Sequence, residues 1–396
     1  MSLNQTPAAN RLHIAIFGKR NSGKSSLINA ITGQDIALVS EVAGTTTDPV
    51  YKAMEIHPLG PCMLIDTAGF DDLGHLGELR VEKTKQALDK TDIAIMLFCD
   101  TDLTMEAEWI SEFKRRKIPF LAVINKADIL ENSEQISEKV QAAFSVQPLI
   151  ISAKSGQNIS KIKEEIARLI PEDFQLKSIT AHLIKPGDTV LLVMPQDIQA
   201  PKGRLILPQV QTIRDLLDNK CLVMSVTTDN LVSALAALKE PPQLIITDSQ
   251  VFKTVYEQKP AESLLTSFSV LFAAYKGNIQ EYIKGAKALD RLQPGDKVLI
   301  AEACTHNPLD GDIGRIKIPR LLRDKISSDL EIKVVSGMDF PDDISPYALI
   351  IHCGSCMFNR RYVLTRIARA SSQNIPITNY GIAIAKLSGI LDKITV

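Results

Sequence analysis

The stretch from Leu12 to Ile28, LHIAIFGKRNSGKSSLI, decides the fold of the first part of this 396-residue chain. It reads as an apolar strand, a glycine-rich turn and the first turn of a helix. The pattern G-x-x-x-x-G-K-[ST] is met by Gly18, Gly23, Lys24 and Ser25. In this pattern backbone N–H groups surround the phosphates, the lysine reaches the β and γ oxygens, and the hydroxyl binds Mg²⁺. The positive end of the helix dipole strengthens the attraction. The stretch predicts a nucleoside triphosphate site.

Short apolar runs alternate with helical patterns from this stretch to about Leu169. The runs include Cys62–Ile65, Ile93–Phe98, Phe120–Ile124 and Leu149–Ile151. This alternation is typical of a doubly wound α/β domain with a mostly parallel sheet. We therefore expect a P-loop α/β domain over residues 1–172.

Two further motifs fit the phosphate end of such a site. Asp66-Thr67-Ala68-Gly69 follows an apolar strand, so that the Asp66 carboxylate can bind Mg²⁺ through water and the Gly69 N–H can meet the γ-phosphate. The segment Gly44–Asp48 offers a threonine hydroxyl for Mg²⁺, which we assign to Thr46. Lys24, Thr46 and Gly69 are thus the expected catalytic residues.

The base-binding motifs predict guanine. Asp128, in Asn125-Lys126-Ala127-Asp128, can accept hydrogen bonds from the guanine N1–H and N2 amine, a donor pair that adenine does not offer. Ser152-Ala153-Lys154 follows the next strand and can complete the pocket, so we expect GTP. The residues expected to contact the nucleotide are Gly18, Asn21, Ser22, Gly23, Lys24, Ser25, Ser26, Asp66, Asn125, Lys126, Asp128, Ser152, Ala153 and Lys154.

These motifs together resemble the TrmE/Era branch of translation-factor-like GTPases. The resemblance implies that Asn21 binds K⁺, which supplies the charge that an arginine finger supplies elsewhere. Phe70 stands where Ras-like proteins carry the water-orienting glutamine. Another group must then position water, with Glu78 or Glu82 as candidates, and we expect hydrolysis to be slow and stimulated by potassium.

The middle of the chain, residues 173–262, is predicted to be a small α/β unit. Its strand-like runs are Thr189–Met194, Cys221–Val226 and Leu244–Thr247. We find no paired carboxylates, nucleophile with a base, or metal-ligand spacing in it. A unit with strands and no chemistry is expected to be a dimerisation domain, and a plain linker domain in a monomer is the alternative.

Cysteine and histidine gather near the end of the chain. Two predicted strands, Lys297–Ala301 and Ala348–Ile351, each run into such residues, and ligands collect at the carboxyl ends of parallel strands. If these strands are neighbours, the cysteines meet. A predicted helix from Asn359 to Ala370 is expected to lower the pKa of nearby thiols. The residues concerned are Cys304, His306, His352, Cys353 and Cys356.

The pattern C-x-H…H-C-x-x-C leaves three interpretations open. A structural zinc ion would take three cysteines and one histidine. A 4Fe–4S cluster would take Cys304, Cys353 and Cys356 and leave one iron for a weaker ligand. Reduced core cysteines are the third interpretation. The candidates for the fourth iron ligand are His306, His352, Asp310, Glu302 or an exogenous group.

The GTPase motifs, the featureless middle and this terminal pattern together resemble the HydF family of FeFe-hydrogenase maturation GTPases. The resemblance implies an α/β cluster-binding domain over 263–396, with Cys304, Cys353 and Cys356 as ligands of a 4Fe–4S cluster and His306 and His352 as candidate ligands. It also implies a homodimeric scaffold that receives a diiron precursor from two radical-SAM maturases and delivers it to apo FeFe-hydrogenase.

Composition restricts the alternatives. A net charge of −1 lacks the basic excess of a nucleic-acid binder, and neither a signal peptide nor a membrane span is apparent. We therefore expect a cytoplasmic protein that binds neither nucleic acid nor membrane. The competing hypotheses are an RNA-modification or ribosome-assembly GTPase with a structural zinc ion, and a purely structural interaction protein.

Overall fold

The computed structural model describes residues 6–33, 49–69, 75–171, 174, 178–195, 205–303 and 312–396, with the backbone alone over 75–80. The chain divides into two compact units, Met1–Leu176 and Lys177–Val396. Within the described ranges, no helix is both long and apolar enough to cross a lipid bilayer.

The first unit is built on a six-stranded sheet in the order β2-β3-β1-β4-β5-β6, with only β2 antiparallel to its neighbour. Apolar cores lie on both faces of the sheet, one formed with α1 and α5 and the other with α2, α3 and α4. The elements are β1 (Leu12–Gly18), α1 (Lys24–Thr32), β2 (Val50–Ile56), β3 (Gly60–Asp66), α2 (His75–Leu88), β4 (Ile93–Phe98), α3 (Thr104–Arg115), β5 (Phe120–Ile124), α4 (Ser133–Phe144), β6 (Leu149–Ile150) and α5 (Ile159–Leu169). The doubly wound layout predicted from the sequence is therefore present.

The local sequence explains these elements. Every residue of β1 is buried, because this central strand is covered on both faces and paired on both edges. In α5 the buried residues Ile159, Ile162 and Ile166 recur at helical spacing and face the core. The edge strand β2 has only its last residue buried. Burial thus decreases from the middle of the sheet to this edge.

The second unit contains two four-stranded sheets, and every pairing in them is parallel. Their elements are β7 (Thr189–Val193), α6 (Leu207–Asp218), β8 (Leu222–Val226), α7 (Leu231–Ala237), β9 (Leu244–Thr247), α8 (Phe252–Gln258), β10 (Leu264–Ser267), α9 (Phe268–Lys276), α10 (Ile279–Ala286), β11 (Lys297–Ala301), α11 (Ile318–Lys325), β12 (Glu331–Val335), β13 (Leu349–His352), α12 (Arg360–Ser372), β14 (Ile377–Asn379) and α13 (Tyr380–Leu387). We call β7–β10 the second sheet and β11–β14 the third sheet.

Both sheets follow the same strand order. The second sheet runs β8-β7-β9-β10 and the third runs β12-β11-β13-β14, so each places its four strands in the order second, first, third, fourth. In such sheets the strand order reverses between the first and third strands, and ligands bind outside the carboxyl ends of those two strands. For the third sheet this point lies after β11 and β13.

The border between the second and third sheets differs from the expected one. The sequence placed a domain boundary after residue 262, but β10 begins at Leu264 and pairs with β9 in the second sheet. The physical reason is that β10 is short and enters α9 directly, with Ser267 as the helix N-cap, so the sequence shows no break there. Residues of both sheets also contribute to one apolar core.

Candidate functional site

The phosphate loop lies between β1 and α1, as predicted. Gly23 has φ of 94°, in the left-handed region that favours glycine, and a Cβ there would collide with the Asn125 side chain. The Lys24 ammonium donates to the carbonyl oxygens of Gly18 and Lys19, both at 3.0 Å. Asn21 is exposed and also left-handed, with φ of 58°. The loop thus holds its lysine beside the backbone that would surround phosphates.

The groups predicted to bind Mg²⁺ are adjacent where the structure describes them. Ser25 Oγ donates to Asp66 Oδ2 at 2.7 Å, and burial raises the pKa of Asp66 although the Ser25 bond opposes this. Thr67 Oγ1 donates to Ile16 O at 2.6 Å, which fixes the start of the segment that leads to Gly69. The predicted hydroxyl of Thr46 lies outside the described residues.

The candidates for positioning the attacking water fall in a segment that is only partly described. Phe70 lies outside the described residues, and so does the side chain of Glu78. Glu82 is described and exposed on α2. The assignment of a water-positioning group therefore stays a prediction.

The base-binding residues form a connected network. Asn125 Nδ2 donates to Ser22 O at 3.1 Å, and its Oδ1 accepts from the N–H groups of Lys126 at 2.8 Å and Ala153 at 3.0 Å. Asn125 thus ties the phosphate loop to the base pocket. In the pocket Ser152 Oγ donates to Asp128 Oδ1 at 2.6 Å, a bond that lowers the pKa of the exposed Asp128 carboxyl. Asp128 therefore stays ionised and able to accept hydrogen bonds.

One contact of the phosphate loop was not expected from the sequence. Lys19 Nζ donates to Asp100 Oδ1 at 2.9 Å and to Asp102 O at 2.6 Å, and lies 3.6 Å from the buried Glu106. Burial raises the pKa of Glu106 to about 7. No local sequence pattern predicts this contact, because Lys19 and Glu106 are far apart in the chain. It connects the loop to the residues that follow β4.

The predicted strands β11 and β13 are neighbours, which confirms the condition for bringing the cysteine segments together. They pair in parallel, with Ala301 opposite His352, and Cys353 N donates to Ala301 O at 3.0 Å. The Cys353 thiol accepts hydrogen bonds from the N–H groups of Ala303 at 3.0 Å and Ser355 at 3.4 Å. Two backbone donors therefore converge on one sulfur atom at the carboxyl end of the sheet.

Several predicted ligands fall outside the described residues. Cys304, His306 and Asp310 are among them. The N–H group of Ala303 donates to Cys353 Sγ. Ala303 immediately precedes Cys304, so the last described residue before Cys304 contacts the loop that carries Cys353. In the ranges that the structure does describe, no three His, Cys, Asp or Glu residues are grouped so as to hold a metal ion.

The pKa of the Cys353 thiol differs from the expectation. The sequence predicted a lowered value beside the start of α12, but burial raises it, and the nearby Cys356 raises it further. The N–H groups of Ser355 and Ala303 act in the opposite direction. Desolvation thus exceeds the effect of these two N–H dipoles on the pKa of the thiol.

His352 lies in a buried network and is fully inaccessible to solvent. Its Nδ1 donates to Cys353 O at 3.0 Å, and its Nε2 accepts from the Arg366 guanidinium at 2.9 Å. Burial and the Arg366 charge lower the pKa of His352 to about 3. Both ring nitrogens are thus engaged and the ring is neutral, so binding of iron by His352 would require one of these bonds to break.

Glu302, another candidate for the fourth ligand, is also engaged. Its carboxylate accepts from Arg315 Nε at 3.0 Å and from Ser336 Oγ at 3.3 Å. The Tyr380 hydroxyl lies 3.5 Å away on the opposite side. Glu302 therefore acts in this structure as a bridge between the end of β11 and the segments that surround it.

Two buried cations near the cysteine loop were missed by sequence reasoning. Arg366 is 2% exposed and its guanidinium lies 4.6–4.8 Å from the ring centroids of Phe340, Phe358 and Tyr362. Lys276, at the end of α9, is likewise 2% exposed. Burial lowers the pKa of Lys276 to about 8. A lysine or arginine in a helix is ordinarily expected to be exposed to solvent. Nothing in the sequence distinguishes these two buried side chains from exposed ones.

The first unit is similar to curated GTPases. Residues 13–126 match the family model described as a 50S ribosome-binding GTPase. The tRNA modification GTPase MnmE of Chromobacterium violaceum is 33% identical over 162 residues, which cover 40% of this chain and 35% of that protein. The GTPase Der of Wolinella succinogenes is 33% identical over 192 residues, 45% of this chain and 40% of its own length. The chain thus spans 35–40% of the length of these relatives.

Among solved structures, Era in complex with MgGDPNP and nucleotides of 16S ribosomal RNA is 20% identical, and the match covers 54% of this chain and 93% of that one. Its TM-score is 0.36. The strand order of the first sheet and the match to the GTPase family model identify the fold of the first unit.

Two further family models cover the second unit. The hydrogen maturase F dimerization domain matches residues 179–277, and the hydrogen maturase F tetramerization domain matches residues 280–395. The first agrees with the dimerisation domain predicted for the middle of the chain. Two consecutive HydF-specific domains after a P-loop GTPase domain show that the chain belongs to the HydF family of TrmE/Era-like GTPases.

Proposed function

We propose that this protein is a GTP-hydrolysing scaffold that binds a 4Fe–4S cluster, receives a diiron precursor from two radical-SAM maturases and delivers it to apo FeFe-hydrogenase. The observation that carries this proposal is the Cys353 thiol, which two backbone N–H groups hold at the carboxyl end of the third sheet. The HydF-specific domains support the biological context. We propose a homodimer as the working assembly.

The donor set fits an iron–sulfur cluster. Backbone N–H groups directed at a cysteine sulfur stabilise the negative charge of a thiolate ligand, and Ala303 and Ser355 supply such groups. Cys304, Cys353 and Cys356 would hold the cluster. When bound through three cysteines, a 4Fe–4S cluster leaves one iron able to exchange its ligand, which suits a protein that must accept cargo and release it.

The GTPase site would bind GTP with Mg²⁺. Lys24 and the loop N–H groups would hold the phosphates, Ser25 and Thr46 would bind Mg²⁺ directly, and Asp66 would bind it through water. Adjacency of Ser25 Oγ and Asp66 Oδ2 at 2.7 Å supports this placement. We further propose that Asn21 binds K⁺ and that hydrolysis is slow without it.

The cluster is tested by anaerobic reconstitution with iron and sulfide, followed by iron, sulfide and zinc analysis and by absorption and EPR spectra. We expect 4Fe–4S spectra in the wild type and their loss in Cys353→Ser and Cys356→Ser. Cys221→Ser is the matched control, since Cys221 is a buried cysteine immediately before β8. Unchanged spectra in both loop variants would contradict the cluster assignment.

The nucleotide assignment is tested with Asp128→Asn. The amide presents a donor where the carboxylate accepts, so it matches xanthine rather than guanine. We therefore expect GTP affinity to fall by at least ~10²-fold while xanthosine triphosphate binds more tightly.

Hydrolysis rates measured in K⁺ and in Na⁺ test the proposed role of Asn21. Equal rates in the two salts would refute it.

A second candidate function is supported by the GTPase domain alone. The relatives of residues 13–126 include a tRNA modification GTPase, so we keep as the alternative an RNA-modification or ribosome-assembly GTPase with a structural zinc ion. It predicts stoichiometric zinc, no sulfide, and RNA affinity that falls steeply with salt. The same metal analysis distinguishes the two functions.

A further inference from the structure

A lysine on the second sheet's last helix is buried against the cysteine loop of the third sheet. Lys276 Nζ donates to the carbonyl oxygens of Ser355 at 3.0 Å, Cys356 at 3.2 Å and Phe358 at 2.8 Å. An ammonium group has three N–H donors, and these three bonds use all of them. Burying a charge is costly unless its hydrogen bonds are made, and here the loop backbone makes them.

The three acceptors belong to the loop that carries both cysteines. This loop runs from the end of β13 to the start of α12 and contains Ser355 in the left-handed region, with φ of 54°. Three of its carbonyls point toward the lysine, whereas its Ser355 N–H group, together with the Ala303 N–H group after β11, points toward Cys353 Sγ. The lysine therefore holds the loop through its carbonyl groups, while an N–H group of the same loop holds the thiol.

A second tether joins the same two elements. Arg360, the first residue of α12, donates through Nη1 to Tyr275 O at 2.7 Å and to Gly277 O at 3.3 Å. The loop is thus held to the end of α9 at Lys276 and again at Arg360. The two tethers differ in one respect, because only the Lys276 ammonium lies on the carbonyls of Ser355 and Cys356 themselves.

The charge of Lys276 acts on the sulfur ligands as well. Its ammonium donates to the carbonyl oxygens of Cys356 at 3.2 Å and Ser355 at 3.0 Å, and the N–H group of Ser355 donates to Cys353 Sγ at 3.4 Å. In the protein interior such an interaction is weakly screened. A positive charge beside a cluster favours the reduced, more negative state of that cluster, so it raises the reduction potential.

We propose that Lys276 is a positioning residue for the iron–sulfur site: its ammonium holds the Cys353–Cys356 loop in the ligand-binding conformation and raises the reduction potential of the bound cluster. This inference depends on the proposed cluster. It assigns to α9, the last helix of the second sheet, control over the site in the third sheet.

The test compares Lys276→Met and Lys276→Gln with Lys284→Met, an exposed lysine on the neighbouring helix α10, in the full-length reconstituted protein. Methionine removes both charge and donors, whereas glutamine keeps donors without charge. We expect a more negative reduction potential in both variants, measured by EPR-monitored redox titration. We expect iron affinity, measured by chelator competition, to fall ~10–100-fold in Lys276→Met and less in Lys276→Gln. Lys284→Met should match the wild type in both.

Thermal unfolding of the apo-proteins separates this role from a structural one. Both variants should fold with a lowered Tm, and the drop should be larger in Lys276→Met, which leaves the three loop carbonyls without this donor, than in Lys276→Gln, which keeps N–H donors. Folded variants with wild-type potential and iron affinity would overturn the proposal, as would failure of both variants to fold, since Lys276 would then serve stability alone. Absence of a cluster in the wild type would instead refute the proposed function on which the inference depends.

Discussion

The second and third sheets share a strand order but differ in what their polar groups do at the strand ends. In both, the fourth strand passes directly into a helix whose N-cap is the last strand residue, Ser267 before α9 and Asn379 before α13. The two junctions meet, since Ser269 Oγ donates to Asn379 Oδ1 at 3.0 Å. The frame is therefore the same in both sheets, and the difference lies in the segments that follow the strands.

In the second sheet, three of the hydroxyl groups at the strand ends bond to groups of the same sheet and its connections. Ser249 and Ser267 hydroxyls lie 2.9 Å apart, and Thr247 Oγ1 donates to Val193 O at 3.0 Å. In the third sheet the corresponding groups hold a loop with cysteines, and Asn379 Nδ2 donates to Cys353 O at 3.3 Å. The comparison indicates that the proposed chemistry of this unit would come from the loops at the strand ends, not from the sheet architecture.

The largest expected effect tests whether the two sheets are one cooperative structure. Gly285 on α10 packs so closely on β14 that a Cβ would collide with the Ile377 carbonyl, so Gly285→Val should cost ~3 kcal/mol or more, because backbone must move to make room. Since residues of both sheets share a core, we expect them to unfold together at lower urea, followed by circular dichroism.

The protein offers internal controls for this experiment. Its single tryptophan, Trp109, lies in the first unit, so fluorescence should report an unchanged transition there. Lys284→Ala, on the exposed face of the same helix, should leave both transitions unchanged. Two separate transitions within the second unit would show that the two sheets unfold independently. That result would contradict the expectation that they form one cooperative structure.

A smaller effect is expected where the third sheet departs from the second. Arg366→Met leaves His352 Nε2 and the Gly337 carbonyl without the donor that they share, and each unpaired buried group costs about 1–3 kcal/mol. We expect ~2 kcal/mol of lost stability in the second unit, measured by urea unfolding. Arg369→Met removes a more exposed arginine of the same helix, and an equal loss in that variant would argue against the buried network.

Much of the fold was predictable because its signals are local. The phosphate loop and the apolar runs of β1, β4 and β5 are continuous segments, and burial on both faces makes such strands apolar throughout. The edge strand β12 (Glu331–Val335) was not predicted, because a run of only five residues in which charged and apolar side chains alternate is a weak signal beside the continuous apolar runs. The border at β10 was misplaced because a four-residue strand enters a helix without a turn.

The candidate sites show the same contrast between residues in continuous motifs, which could be predicted, and partners distant in the chain, which could not. Cys353 and Cys356 could be proposed as ligands because their spacing and the preceding apolar strand are visible in the sequence. The partners that hold this loop were missed, because Lys276 is about eighty residues away along the chain and its acceptors are backbone carbonyls of no particular residue type. The raised pKa of Cys353 was missed for a related reason, since burial depends on tertiary packing.

The smallest expected effect compares the two N-caps directly. Ser267→Ala and Asn379→Ala each remove a cap, and each should cost ~1 kcal/mol of stability. Asn379 also bonds to Cys353 O, whereas Ser267 bonds to Ser249, so only Asn379→Ala should speed the loss of iron to a chelator from the reconstituted protein. If both variants lost iron equally, the junction of the two sheets would act on the cysteine loop as a whole, and the functional distinction between the sheets would not hold.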